Sequence, residues 1–360
     1  MKLENQNILI VSNEPWGDIW YSKHNWAFEL SKKNNVFFIN PPSNWKLSNL
    51  WNFKIKIEDY TEKLQILNYQ NVLPYTRFNL MHQFNNFIVS KKIKKWLLKH
   101  QHRDYIFWTF DPYRFSNPKL FSPLFSIYFL ADKYDLKREI SLIQNTDYFI
   151  TVSSVLTDNL AINNPLVLSH GISSSEFNCD SSIEIAKDYI LYVGNIDYRL
   201  DYDFIKQLLK KFPNERFLFI GKMIYPTKNK LFEELFIEQQ HKNLISHHAV
   251  HFKILKNYIN KSKICIAPML LEVNGNNINH HKLLQYLAQG KPVLAPQFKD
   301  YDNNKLVYTY INNEHGIAYL DKILKEQETE NIIAERIQFA QHYTYEKLIQ
   351  KVEAFLSKEN

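Results

Sequence analysis

The residues best placed by type and spacing to do chemistry lie in His280-His281-Lys282-Leu283-Leu284-Gln285-Tyr286-Leu287-Ala288-Gln289-Gly290-Lys291-Pro292-Val293-Leu294. The segment reads as a helix, a glycine C-cap and a strand that begins with proline. Leu283, Leu284, Leu287 and Ala288 make a buried stripe. Lys282, Gln285 and Gln289 stand three and four residues apart and share a polar face. The preceding loop, Asn274-Gly275-Asn276-Asn277-Ile278-Asn279, is rich in turn residues. Such a loop entering a helix offers free backbone N–H groups at a positive dipole end, which suits a diphosphate. On that reading Asn277, Ile278 and Asn279 hold phosphate oxygens, Lys282 adds a point charge and Gln285 hydrogen-bonds a ribose. An ordinary loop, helix and strand with a solvated polar face fits the same residues.

Four further places carry candidate chemistry. Gly194 ends an apolar run, where a bare backbone approaches a ligand closely, and Asn195 follows it. Arg199, five residues after Gly194, has the donor fork that clamps a pyrophosphate, or it pairs with Asp197 or Asp201 on the surface. Asn13-Glu14-Pro15-Trp16-Gly17-Asp18-Ile19-Trp20 follows the first strand-like run. There Gly17 suits a sugar-phosphate, and Trp16, Asp18 and Trp20 suit an acceptor sugar, although two tryptophans also serve as packing residues. Asp111, after the run Tyr105–Thr109, is an acceptor-orienting group or base, or simply a turn-initiating Asp before Pro112. Lys222, just past the run ending at Ile220, is a second candidate cation.

These residues need elements to hold them. Short apolar runs at Ile8–Ser12, Val36–Asn40, Leu64–Asn68, Tyr105–Thr109, Ser126–Leu130, Tyr148–Val152 and Leu166–Ser169 alternate with helical patterns. A second series runs through Tyr189–Gly194, Arg216–Ile220, Val250–Phe252, Ile264–Ala267, Pro292–Ala295 and Val307–Tyr310. Continuous apolar strands between helices indicate parallel sheets covered on both faces. Ser22 to Lys33 reads as the first helix, with Lys32 and Lys33 in its last turn. The 360-residue chain suits two domains of roughly 150–200 residues each. The expected division is 1–177, a polar linker 178–188, a second domain 189–340 and a last helical segment 341–360. A pair of such α/β domains places ligands at the carboxyl ends of the strands.

With these positions in order, the chain resembles the retaining GT-B glycosyltransferases of the glycosyltransferase family 4 type, and most closely a bacterial cell-surface polysaccharide, teichuronic-acid-type branch. The signature is Lys282-Leu283 through Tyr286-Leu287-Ala288 to Gly290-Lys291-Pro292-Val293. Tyr192 to Asp201 resembles the strand and loop that open the donor domain. Thr151 to Leu156 and His170-Gly171-Ile172 to Phe177 resemble the end of the acceptor domain, and Trp16 to Leu30 its beginning. The resemblance implies two Rossmann-like domains facing a central cleft. It implies a nucleoside-diphosphate-sugar donor on the second domain and a glycan or lipid-linked acceptor on the first. It also implies a last helix that crosses back to the first domain. By the same resemblance Arg199 and Lys222 stabilise the departing diphosphate, with Asp18 and Asp111 as acceptor-side candidates and His170 on the donor side. No metal and no cofactor are implied, since the nucleotide sugar is itself a substrate. Two departures stand out: Asn277 and Gln285 occupy positions usually held by glutamates, and His170 stands where asparagine is commoner.

Composition narrows the partners. The formal net charge of +7 suits a phosphorylated substrate or an anionic surface. No zinc-knuckle spacing, aromatic RNP-like strand or long arginine run occurs, so nucleic acid is not an expected partner, and neither a P-loop nor a Gly-x-Ser-x-Gly elbow points to another chemistry. No apolar run reaches the roughly 18 residues of a membrane span, no secretory signal is visible, and the two cysteines make no disulfide framework. A cytoplasmic enzyme is expected. The basic segment Phe87 to Arg103 is a candidate helix for docking on the inner face of an anionic membrane, or a helix with solvated lysines and a core stripe. Two rival readings are a non-catalytic GT-B glycan-binding or scaffold protein and a nucleotide-sugar epimerase.

Overall fold

The computed structural model describes residues 1–47, 54–74, 76–134, 137–158, 160–180, 184–225, 229–273, 281–298, 301 and 304–358. The chain divides into two compact units, Met1–Ser169 with Glu346–Asn360, and His170–Tyr345.

The first unit is built from β1 (Asn7–Val11), α1 (Ser22–Ser31), β2 (Asn35–Ile39), β3 (Lys56–Thr61), β4 (Leu64–Asn68), α2 (Asn79–Lys99), β5 (Tyr105–Thr109), β6 (Ser126–Leu130), α3 (Lys137–Gln144), β7 (Tyr148–Thr151) and β8 (Leu166–Val167). Its eight-stranded sheet has the order β3-β4-β2-β1-β5-β6-β7-β8. Every pairing is parallel except β3 with β4. Alternate residues of each strand face opposite layers. Leu9, Val11, Tyr105 and Phe107 join Val89, Ile93 and Leu97 of α2 in one core. On neighbouring residues Trp108 packs 5.4 Å from Trp26 of α1, and Trp26 packs 5.6 Å from Phe129. All five residues of β5 and of β6 are buried, as an apolar strand between two helical layers requires.

The second unit contains β9 (Tyr189–Val193), α4 (Tyr202–Lys211), β10 (Arg216–Ile220), the short α5 (Lys230–Phe232), β11 (Leu244–His247), α6 (Phe252–Lys261), β12 (Ile264–Ile266), α7 (His281–Ala288), β13 (Val293–Pro296), β14 (Tyr308–Tyr310), α8 (Asn313–Lys325) and α9 (Glu330–Gln341). Six parallel strands run in the order β11-β10-β9-β12-β13-β14. The last helix, α10 (Tyr345–Lys358), returns the chain to the first unit. There the Leu3 amide donates to Glu353 at 2.6 Å, and Phe355 packs edge-on against Tyr148.

Several sequence expectations need correction. The division falls at Ser169/His170, ahead of the expected 178–188 linker. Ile172 pairs with Thr344, and the Asp180 amide donates to Asn257 at 2.8 Å, so 170–180 lies on the second unit. Val250–Phe252 is not a strand. The strand is the more polar β11, and Phe252 opens α6 behind a His251 cap. The exposed β3 went unseen because its Lys, Glu, Asp and Thr residues lack an apolar face. Lys32 and Lys33 lie beyond the end of α1. The Phe87 to Arg103 segment lies largely in α2, whose Ile93 and Leu97 are buried in the core, so that stripe is not a free docking face.

Candidate functional site

In a doubly wound parallel sheet the chain leaves neighbouring central strands in opposite directions, and the strand ends there open a crevice. In the second sheet that point lies between β9 and β12. Gly194 ends β9 with φ +139°, a conformation that side chains disfavour. A Cβ there would lie 2.9 Å from both the Lys282 Nζ and the Tyr192 hydroxyl. The Gly194 amide donates to Ile220 at 3.0 Å, and a Cβ on Gly221 would fall 1.8 Å from the Gly194 carbonyl oxygen. The ends of β9 and β10 therefore touch backbone to backbone. The Arg199 carbonyl accepts from Leu270 at 2.9 Å, and Leu200 bridges Met269, so the loop after β9 is also tied to the loop after β12.

Two cations are fixed on this frame. Asp197 is buried and takes Arg199 in a fork, with Nε at 3.0 and 3.1 Å and Nη2 at 2.7 Å. The Tyr202 hydroxyl holds the Asp197 carbonyl at 2.6 Å. Arg199 thus has the acid partner allowed for in its surface alternative, yet it is held in place rather than free in solvent. Lys282, in the first turn of α7, puts its ammonium 3.2 Å from the Tyr192 hydroxyl and 4.5 Å from the centroid of that ring. Burial, reinforced by the Arg199 charge and opposed by Asp197, lowers its pKa to about 7. A lysine so placed gains from any anion that joins it. α7 is itself tied to the strand it serves, since the Tyr286 hydroxyl accepts from the Val193 amide at 2.8 Å.

The polar face of α7 is occupied. The Gln285 amide donates to the Glu176 carboxylate at 2.6 Å, and Gln289 donates to the Glu176 carbonyl. A carboxylate is therefore present beside Gln285, supplied by Glu176 of the short helical turn Ser174–Phe177, a residue that sequence reasoning did not single out. His170 and His281 place their rings 6.0 Å apart, edge to face. Asn195 follows Gly194, and its carbonyl accepts the Tyr192 hydroxyl at 2.8 Å. Lys222 is exposed, and its carbonyl accepts from Ile196. Asn277, Ile278 and Asn279 lie outside the described residues.

The first unit places its candidates less favourably for chemistry. Asp111 is 1% exposed, and its carboxylate takes Arg114 Nε at 2.6 Å. Arg114 also donates to the Asn40 carbonyl at 2.8 Å, the Tyr69 hydroxyl at 2.7 Å and the Ser12 carbonyl at 2.6 Å. This pair fills the carboxyl ends of β1, β2 and β5. It gives Asp111 a structural task, and the Tyr113 amide donating to its carboxylate at 2.7 Å fits the turn-initiating alternative. Trp16 is wedged among Trp20, His24, Phe38 and Tyr60, each ring within 5.4 Å, so it packs the loop. Trp20 donates to the Gly17 carbonyl at 3.1 Å. Gly17 faces open space and Asp18 is exposed, so nothing in the surroundings demands glycine at 17.

A polar group that sequence reading missed stands at the same edge. Lys23 is 7% exposed and donates to Asn13, whose amide donates to the Tyr134 hydroxyl at 3.2 Å. Burial lowers the Lys23 pKa, against the raising effect of Glu14, Asp132 and Asp111. The available signal was a lysine in the first turn of a helix, where the dipole disfavours a cation.

No family model matches the chain, and no curated protein matches it. Solved structures do. An E. coli trehalose-6-phosphate structure bound with UDP-2-fluoro glucose is similar at a TM-score of 0.65 and 13% identity, over 98% of this chain and 99% of that one. Sucrose-phosphate synthase from Thermosynechococcus elongatus is similar at 0.67 and 12%, over 98% and 99%. An alpha,alpha-trehalose-phosphate synthase (UDP-forming) from Burkholderia xenovorans, in complex with glucose-6-phosphate, is similar at 0.64 and 10%, over 99% and 100%. At these identities the likeness establishes the fold: two parallel-sheet, Rossmann-like units of GT-B type.

Proposed function

We propose that the chain is a glycosyltransferase that moves a sugar from a nucleoside-diphosphate-sugar to a hydroxyl of a cell-surface polysaccharide or lipid-linked glycan. The observation that carries this is the pair of cations, Arg199 and Lys282, fixed at the strand ends of the second sheet where the chain direction switches. As the bond from the sugar C1 to the diphosphate breaks, negative charge builds on the leaving oxygen. Arg199 and Lys282 are held in place by Asp197 and Tyr192 before any donor arrives, and cations fixed near that oxygen would favour the transition state over the ground state. The acceptor oxygen bonds to C1, and its proton passes to the departing phosphate oxygen on the same face. No cofactor is called for, because the nucleotide sugar is consumed as a substrate.

The donor would be held by Gly194, Asn195, Arg199 and Lys282, with Lys222, His170 and the Asn277–Asn279 segment as further contributors. Gln285 and Glu176 together offer the amide and carboxylate that a ribose diol needs. The acceptor would lie on the first unit, at the edge holding Asn13, Lys23, Asp18 and Trp20. The similar structures are of UDP-forming and UDP-sugar-bound proteins, which puts UDP first among nucleotides to try. On this reading the enzyme works in the cytoplasm, at the membrane face where a lipid-linked acceptor is presented.

One observation favours a second reading, a non-catalytic glycan-binding or scaffold protein. Gln285 is engaged by Glu176, and an amide replaces the usual acid. A melting-temperature screen against UDP, GDP, ADP, CMP and their sugar adducts separates the two. A nucleotide that raises the melting temperature in wild type but not in Arg199→Ala supports the transferase. No shift with any nucleotide, in folded protein, transfers the case to the second reading.

A further inference from the structure

The first half of α2 is inside out. Its buried face carries His82, Asn85, Asn86 and Ser90, while Leu80, Phe84 and Phe87 are 82%, 45% and 40% exposed. Phe78, at the N-cap, is 51% exposed. Leu80, Phe84 and Phe87 are four and three residues apart and form one stripe. The orientation is fixed from within. Asn85 exchanges two hydrogen bonds with the Leu73 backbone, at 2.8 and 2.9 Å. Asn86 bonds His82 at 2.9 Å, and Arg138 reaches both His82 at 3.3 Å and the Thr76 carbonyl at 3.0 Å. Rotating the helix to bury the phenylalanines would strand all of these polar groups.

Charge continues the stripe. Lys91 follows one turn after Phe87 with its ammonium 4.2 Å from the Phe87 ring centroid, and Arg77 lies 5.0 Å from that of Phe78. Lys91, Lys95 and Lys99 are exposed, and no Asp or Glu occurs from Asn79 to Lys99. A second copy of the chain would bring this acid-free face against its own lysines. A bilayer with anionic headgroups offers apolar depth for Leu80, Phe84 and Phe87 and countercharge for the lysines together. We propose that the Phe78–Lys99 face of α2 is an anionic-lipid docking surface, with Leu80, Phe84 and Phe87 entering the acyl boundary. This surface lies outside the core stripe of Ile93 and Leu97, and it does not depend on the nucleotide-sugar reading.

The test is sedimentation of the full chain with vesicles of phosphatidylcholine containing about one-third phosphatidylglycerol, beside pure phosphatidylcholine. The chain should pellet with the mixed vesicles only and be released by salt. Phe84→Ser with Phe87→Ser should weaken binding about ten-fold. Lys91→Gln with Lys95→Gln should weaken it about twenty-fold. Leu80→Ser, the most exposed position, gives the same direction should the phenylalanine pair lower the melting temperature. No pelleting of wild type, or pelleting that none of the variants alters, overturns the proposal. So does a wild-type dimer in light scattering that Phe84→Ser with Phe87→Ser dissociates, which would make the face a contact between copies. Nucleotide-induced stabilisation is read separately, so failure here leaves the donor site standing, and the reverse.

Discussion

The Lys282 ammonium sits 3.2 Å from the Tyr192 hydroxyl and 4.5 Å above the same ring, with Arg199 as the nearby charge that repels it. Its pKa falls to about 7 on folding, chiefly through burial. The unfolded chain therefore binds more protons than the folded one from about pH 7 up to the ordinary lysine value near 10.4. Below pH 7 the buried charge costs stability, and that cost fades as the pH rises through this window. Lys282→Met should accordingly gain more melting temperature at about pH 6 than at about pH 9. A bound diphosphate should restore the proton, so calorimetry at about pH 8 in two buffers of different ionisation heat should show proton uptake, absent in the Met variant. Equal heats in both buffers would count against Lys282 as a phosphate ligand.

On the proposed function, Asp197 acts on the donor through Arg199. Replacing it with Asn removes the charge that forks the guanidinium while keeping the shape. Arg199 is about one-third exposed, so the stability loss should stay near 1–2 kcal/mol. Nucleotide affinity should fall about ten-fold. Arg199→Lys should not restore it, because a point charge cannot use the fork. Unchanged affinity in Asp197→Asn, measured by titration calorimetry, would leave the pair a surface ornament.

Gly221 is irreplaceable for a steric reason. A Cβ there would meet the Gly194 carbonyl oxygen at 1.8 Å, and backbone cannot swing aside as a side chain does. Gly221→Ala should cost about 3 kcal/mol or more in urea unfolding. Gly17→Ala, where the added methyl meets open space, should be within about 0.5 kcal/mol of wild type. A tolerated Gly221→Ala would mean that the two strand ends are farther apart than described.

The buried Asp111–Arg114 pair should show its structural role in stability. Arg114→Met removes four hydrogen bonds, to residues just past the ends of β1, β2, β4 and β5, and leaves Asp111 without its cation. The expected loss is about 3–5 kcal/mol. Transfer activity per folded molecule should persist in Asp111→Asn at a permissive temperature. Loss of turnover with an unchanged melting curve would return Asp111 to the acceptor side.

Acid should destabilise the first unit through its histidines. Burial lowers the pKa of His24 and of His82 from the usual 6.5 to about 4. The unfolded chain then binds more protons between these values, so stability falls as the pH drops from about 6.5 toward 4. His82→Gln should flatten part of that slope in melting curves. An unchanged slope would place the acid sensitivity elsewhere.

The parallel strands and the loop after β9 were legible in the sequence because buried strands announce themselves as apolar runs ending in glycine or a polar residue. Lys282 and Gln285 were legible because α7 has a sharp apolar stripe, which leaves its polar face unambiguous. α2 was not legible in the same way. Its first half buries asparagines and exposes phenylalanines, so periodicity points to the wrong side. Asp111 and Arg114 are three residues apart, yet nothing local says that the guanidinium reaches Ser12 and Asn40. Glu176 was missed for the same reason: its partner Gln285 is 109 positions away.

The return of α10 to the first unit makes that unit discontinuous in the chain. The Leu3 amide waits for Glu353, and Tyr148 waits for Phe355. During synthesis the ribosome must deliver the whole of His170–Tyr345 before the first unit receives its last helix. The second unit, encoded as one uninterrupted stretch, is free to finish folding sooner. Nascent chains stalled short of Glu346 would carry a finished six-stranded sheet and an eight-stranded sheet still missing its last helix.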